Sequence, residues 1–180
     1  MILEEHVDHI LIDRERIQAR VAELAAEISH DYAGVEVLLV CVLKGAVMFL
    51  ADLSRQLAIP HAIDFMAISS YGASTESSGI VRILMDLETS IVGRHVLVVE
   101  DIIDSGRTLD YITRNLSTRS PASLKICTLL DKKERRVLPI PVDYVGFEIP
   151  DEFVIGYGLD FVELYRNLPF IGVLKPEFYE

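Results

Sequence analysis

At 180 residues, 51% of them hydrophobic, the chain is the size of one ordinary domain and can bury a core without disulfides or structural metal. That hydrophobic content excludes an intrinsically disordered protein. With 17 basic and 28 acidic residues the formal charge is −11, which argues against a general binder of nucleic acid or anionic membranes. A phosphate ligand stays open, because a few backbone NH groups and one metal ion can outweigh the global field locally.

Residues 1–8 are acidic and lack the basic-then-apolar order of a signal peptide. Asp13 is placed to cap a helix in which Ile17, Val21, Leu24 and Ile28 recur at helical spacing. Residues 35–43 are almost uninterrupted by polar groups, as a strand buried on both faces must be. Lys44-Gly45 ends that run, and residues 46–57 predict a helix closed before Pro60. The most apolar region, residues 37–51, is broken by Lys44 and falls short of the roughly 20 residues a membrane span requires.

Residues 63–69 predict a second strand. Residues 71–79 (YGASTESSG) read as a polar loop, and residues 81–88 as a half-exposed strand able to pair back as a hairpin. Residues 95–99 and 124–130 are further buried strands, separated by a helix carrying Leu109, Ile112 and Leu116 on one face. Residues 142–147 and 153–157 are shorter candidates. Buried strands alternating with helices predict an α/β domain with a mainly parallel sheet and crossover helices, plus a small added lobe. Cys41 and Cys127 sit in apolar runs and read as buried free thiols of a reducing, cytoplasmic compartment.

Chemistry concentrates after the strand at residues 95–99. In an open parallel sheet, ligands bind beyond the carboxyl ends of the strands. Here that position holds Glu100, Asp101, Ile102 and Ile103, then Asp104-Ser105-Gly106-Arg107-Thr108. Residues 105–108 open a helix, where free NH groups and the helix dipole favour a phosphate. Gly106 permits close approach, and the Ser105 and Thr108 hydroxyls can donate to phosphate oxygens. Adjacent carboxylates at 100 and 101 suit the two hydroxyls of a ribose, or a magnesium ion held with them. A phosphate cradle beside a diol site describes a ribose 5-phosphate. Ordinary helix capping fits the same residues, and neither a Walker loop nor GxGxxG follows a strand.

Residues 96–109, VLVVEDIIDSGRTL, resemble the phosphoribosyl-diphosphate signature of the type I phosphoribosyltransferases. Further matches to the 6-oxopurine (hypoxanthine-guanine) branch are Leu43-Lys44-Gly45, Ser69-Ser70-Tyr71-Gly72, Leu130-Asp131-Lys132 and residues 145–160, continuing to Tyr165-Arg166. They appear in family order and cover residues 38–168. The resemblance implies a type I phosphoribosyltransferase fold of one domain, with a core at residues 35–145. It also implies a hood from the N-terminal segment and residues 146–180, and a lid at residues 70–80.

The same resemblance implies transfer of a 5-phosphoribosyl group from its magnesium diphosphate to a purine nitrogen. Glu100 and Asp101 are then the ribose ligands, with Mg2+ at or near that diol and Asp160 as a further metal-site carboxylate that also borders the base. Asp104, Ser105, Gly106, Arg107 and Thr108 wrap the 5′-phosphate, and Asp104 is also the general acid/base. Lys132 meets the purine 6-oxygen, Phe153 stacks on the base, and Val154 contacts its edge through the backbone. Lys44, Gly45 and Arg166 hold the diphosphate, with a cis peptide preceding the lysine. Ser70 and Tyr71 belong to the lid. Without the resemblance, Lys132 reads as a solvated charge in the run 132–136, Phe153 and Val154 as core residues, and Asp160 and Arg166 as surface charges.

Lys133 departs from the Lys-Pro common in bacterial members. The implied partners are small molecules and further copies of the chain, in a homodimer or homotetramer, with neither nucleic acid nor membrane. A nucleotide-sensing regulator on the same fold, or a transferase for another base such as xanthine, are the alternatives. The first would favour a basic face, and transferases for uracil, adenine or orotate would lack the set Lys132, Phe153, Val154 and Asp160.

Overall fold

Apolar strands flanked by amphipathic helices set the architecture of the computed structural model, which describes residues 3–70 and 81–179. In chain order the elements are β1 (Val7–Ile12), α1 (Arg14–Asp31), β2 (Val37–Leu43), α2 (Val47–Gln56), β3 (His61–Ser70), β4 (Val81–Met85) and β5 (His95–Ile103). They continue with α3 (Arg107–Ser117), β6 (Ser123–Asp131), β7 (Tyr144–Glu148), β8 (Val154–Ile155) and β9 (Ile171–Leu174). Six strands form the main sheet in the order β4-β3-β2-β5-β6-β7. All its neighbours run parallel except β4, which turns back antiparallel on β3 as a hairpin edge.

Alternation along the strands sorts the core into two layers. Val37, Leu39 and Cys41 of β2 meet Ile17, Val21, Leu24 and Ile28 of α1 and Phe49 and Leu53 of α2. Leu38, Val40 and Val42 face the other way, onto Leu109, Ile112 and Leu116 of α3. Each such side chain contributes about 1.5–3 kcal/mol on burial, so the predicted helix stripes are the main force holding helices to sheet. Asp13 caps α1 as expected, its Oδ1 accepting from the Arg16 NH at 2.8 Å. Cys41 and Cys127 are buried free thiols, and burial pushes the Cys41 thiol up to about 12.

A second, three-stranded antiparallel sheet has the order β1-β9-β8. It joins a segment near residue 10 to one near residue 173, and the sequence reading of residues 153–157 captured only its shortest strand. β5 is longer than the apolar run at residues 95–99 predicts: pairing with β6 continues through Ile103↔Asp131, so Glu100 and Asp101 lie within the strand rather than past its end. Glu100 pairs with Thr128, and the pairs on either side of Asp101 fix its place in the strand. Of the expected lid, Tyr71 lies outside the described residues, and of Ser70 only its place as the last residue of β3 is described.

Candidate active site

From β2 the chain crosses to β3 on one side, whereas β5, β6 and β7 lie on the other. The crevice at the carboxyl ends of β2 and β5 is therefore the topological switch point, where an open α/β sheet presents its ligand site. Two loops meet there. A Cβ on Gly45 would lie 1.5 Å from Asp101 Oδ2, and a Cβ on Gly158 would lie 2.0 Å from the Gly45 carbonyl oxygen. Gly158 has φ +102°, so both shape and backbone demand glycine there. These contacts bring the Leu43-Lys44-Gly45 turn, the acid pair and the loop after β8 into one place. The Leu43–Lys44 peptide is cis.

Beyond β5, Gly106 takes φ 82° as the N-cap of α3 and has no side chain to cap it, while Ser105 Oγ accepts weakly from the Arg107 NH at 3.5 Å. Glu100, Ile102, Ile103, Asp104, Ser105, Gly106, Thr108 and Leu109 line a small cavity of ≈ 90 Å³ over it. A helix start at the floor of a cavity has both the donors and the dipole to hold a phosphate. Arg107 is exposed on the first turn of α3.

Glu100 is 7% exposed, and its Oε1 accepts from the Asp101 NH at 3.3 Å. Burial, and then the neighbouring Asp101 charge, push the Glu100 carboxyl well above its usual range; burial raises Asp101 as well. Two crowded, desolvated carboxyls are stabilised by hydroxyl donors or a cation. Among the described residues no group of three or more His, Cys, Asp or Glu is arranged to hold a metal. Asp160 lies 2.9 Å from the Arg166 guanidinium and accepts from the Glu163 NH at 2.9 Å. The pair at 100 and 101 fits a Mg2+ completed by oxygens from a bound substrate and water, which is how this ion is commonly held.

Lys132 is 7% exposed, its NH donating to the Ile103 carbonyl at 2.9 Å and its Nζ 3.4 Å from Asp151 Oδ1. A lysine this buried, with one long contact, is not a solvated charge. Arg135 joins the two sides of the site: its Nε lies 3.0 Å from Asp104 Oδ1, outside hydrogen-bond alignment, and its Nη1 donates to Asp151 at 3.3 Å. Lys133 opens a short 3-10 turn and turns outward to Glu148. Phe153 keeps 38% of its surface exposed, stacks on Tyr179 at 4.9 Å and meets Phe161 edge-on. Val154 is buried in β8, paired with Val173.

On the side of the Lys44 turn, Arg166 donates from Nη1 to the Gly158 carbonyl at 2.7 Å, and Lys44 Nζ donates to Glu163 at 3.0 Å. The structure thus gathers Lys44, Gly45, Asp101, Gly158, Asp160 and Arg166 at one point, and Asp104 and Lys132 around Arg135 and Asp151. Sequence reasoning missed Arg135, Asp151 and Glu163. Arg135 was visible only as part of a charge run, and nothing local marked the other two.

A mainly parallel sheet with a helix start and an acid pair, Glu100 buried and Asp101 half-buried, at its switch point is the arrangement of an α/β protein with a ligand site beyond the strand ends. Residues 8–162 match the family model for the phosphoribosyl transferase domain. The chain is 52% identical to a hypoxanthine-guanine phosphoribosyltransferase of Mycobacterium avium, covering 97% of this chain and 89% of that one. It is 51% identical to that of Bacillus subtilis, covering 99% of both. A crystal structure of a hypoxanthine phosphoribosyltransferase from Staphylococcus aureus superposes with a TM-score of 0.96 at 48% identity, over 100% of this chain and 98% of that one. The chain belongs to the phosphoribosyltransferase family.

Proposed function

We propose that the protein is a purine-salvage enzyme that transfers the 5-phosphoribosyl group from 5-phosphoribosyl-1-diphosphate to hypoxanthine or guanine, giving IMP or GMP and diphosphate. Family membership and the relatives above support the reaction class. The observation that carries the base preference is Lys132, a buried lysine whose ammonium has one long contact beside the aromatic segment. A cation there donates to a 6-oxo group and leaves a donor facing a donor against a 6-amino group.

The roles follow the geometry. Backbone NH groups of residues 105–108 take the 5′-phosphate, with the Ser105 and Thr108 hydroxyls. Glu100 and Asp101 hold the ribose hydroxyls. Asp104 exchanges the proton of the purine five-membered ring, Arg135 orienting its carboxylate until the base arrives. Phe153, backed by Tyr179, offers its ring to the base, and the Val154 backbone meets the base edge. Lys44, Gly45 and Arg166 receive the diphosphate. Mg2+, bound with the acid pair and the substrate, would supply positive charge to the leaving diphosphate. We assign the lid role to Ser70 and Tyr71, whose closure would keep water from the cationic sugar.

The three-stranded sheet with residues 146–180 serves as the hood over the base, and residues 35–145 as the core of one domain. Ile63, Phe65 and Met85 are exposed and line one shallow hollow on the β3–β4 edge of the sheet, which supports self-association. No helix among the described residues is long and apolar enough to cross a membrane, and the buried free thiols suit a cytoplasmic setting.

Diphosphate release measured with each purine in turn tests the reading. Hypoxanthine and guanine are expected to turn over at least a hundredfold faster than adenine at equal concentration. Comparable rates with all three would overturn the role of Lys132.

A further inference from the structure

Glu163 holds both cations assigned to the diphosphate. Its Oε2 accepts from Lys44 Nζ at 3.0 Å and lies 3.4 Å from Arg166 Nη2. Lys44 and Arg166 are distant in sequence, in the turn after β2 and the loop before β9, and the Glu163 carboxylate touches both, while Asp160 holds Arg166 more closely at 2.9 Å. Glu163 sits in left-handed backbone at φ 65°, between Val162 at φ 52° and Tyr165 at φ 76°. A β-branched valine rarely adopts that conformation, and such strain persists where surrounding contacts impose it. Lys44 and Arg166 hold the Glu163 carboxyl below its usual range, so it is charged throughout neutral pH.

We infer that Glu163 is an internal stand-in for diphosphate: its carboxylate bridges Lys44 and Arg166 in the empty site, yields them when diphosphate enters, and returns as it leaves. The inference rests on assigning Lys44 and Arg166 to the diphosphate. A competing carboxylate weakens diphosphate binding by the strength of the contacts it must give up. It also keeps the two cations preorganised and speeds release of a product carrying several negative charges. Lys44 and Glu163 are both well exposed, so each contact is modest and the competition is a matter of severalfold rather than orders of magnitude.

The contact to Asp160 is made by the Glu163 backbone NH and survives substitution of the side chain, and glutamine keeps an oxygen for Lys44 and Arg166. Glu163→Gln therefore separates charge from fold. Titration calorimetry with inorganic diphosphate and Mg2+ is expected to show three- to tenfold tighter binding in Glu163→Gln, with a matching fall in KM for the diphosphate substrate. Glu163→Asp, which keeps the charge on a shorter arm, is expected to lie between Gln and wild type. Glu27→Gln on α1, the same change in net charge, should bind as wild type does. Lys44→Ala and Arg166→Ala should each weaken diphosphate at least tenfold. If those two weaken it while Glu163→Gln is unchanged or weaker, the stand-in role is wrong and the site stands. If neither Lys44→Ala nor Arg166→Ala affects diphosphate, the site assignment itself falls.

Discussion

Asp104→Asn is expected to lower turnover by at least a hundredfold while KM for the diphosphate substrate stays within a few fold of wild type. Asparagine keeps the shape and one carbonyl oxygen but cannot take up or deliver the proton. Positioned proton transfer of this kind is worth about 10²–10⁴ in rate. The phosphate cradle around the start of α3 is built from backbone and does not depend on the Asp104 carboxylate. Arg135, 3.0 Å from Asp104 Oδ1, loses one charged partner but keeps Asp151. Steady-state kinetics with hypoxanthine checks the effect, and wild-type turnover would reject the acid/base role.

Glu100→Gln is expected to raise the melting temperature of the ligand-free protein while reducing kcat/KM by about ten- to a hundredfold. The loss corresponds to one hydrogen bond to a charged group, roughly 1.5–3 kcal/mol. The gain in stability has the opposite origin. Glu100 is buried beside the half-buried Asp101, and burial followed by the Asp101 charge pushes the Glu100 carboxyl well up. A carboxyl whose pKa rises on folding binds its proton more tightly in the folded state. Its favourable contribution is therefore present at low pH and is lost as pH climbs from the ordinary carboxylate range through the folded value. Glutamine keeps an oxygen for the Asp101 NH and carries no charge, so it escapes that loss. A relief of about 1–2 kcal/mol corresponds to several degrees in a chain of this size. Thermal scans without substrate should show a larger gain at pH 8 than at pH 5. A melting temperature lowered at both pH values would show that the buried charge stabilises the fold.

Much of the main sheet could be read from residue order because its central strands are buried on both faces. The runs at residues 35–43, 95–99 and 124–130 contain almost nothing polar, and each forms a strand of the six-stranded sheet. α1 was equally plain, since Ile17, Val21, Leu24 and Ile28 form a complete buried stripe behind a capping Asp13. The second sheet was not. β1 carries Asp8 and His9 and is mostly exposed, and β9 has only four residues, too few for alternation to mark. Their partners lie far apart in the chain, as in Val7↔Leu174 and Ile12↔Ile171, and no local pattern carries such a partner.

The site divided in the same way. The acid pair and residues 104–108 lie in one unbroken segment, so their grouping was visible in residue order. Glu163 against Lys44, and Arg135 between Asp104 and Asp151, are contacts between distant segments that no spacing announces. Lys132 illustrates the limit: five consecutive charges look solvated, yet the first is buried and the second turns outward to Glu148. The NH bond to Ile103 makes that difference by tying Lys132 to the end of β5.

A crystal structure of the protein grown with IMP tests the phosphate-and-ribose assignment most directly. The 5′-phosphate is predicted to sit over residues 105–108, within hydrogen-bond reach of their NH groups, with the ribose hydroxyls turned to Glu100 and Asp101. IMP found elsewhere, with the cavity above α3 empty, would contradict it.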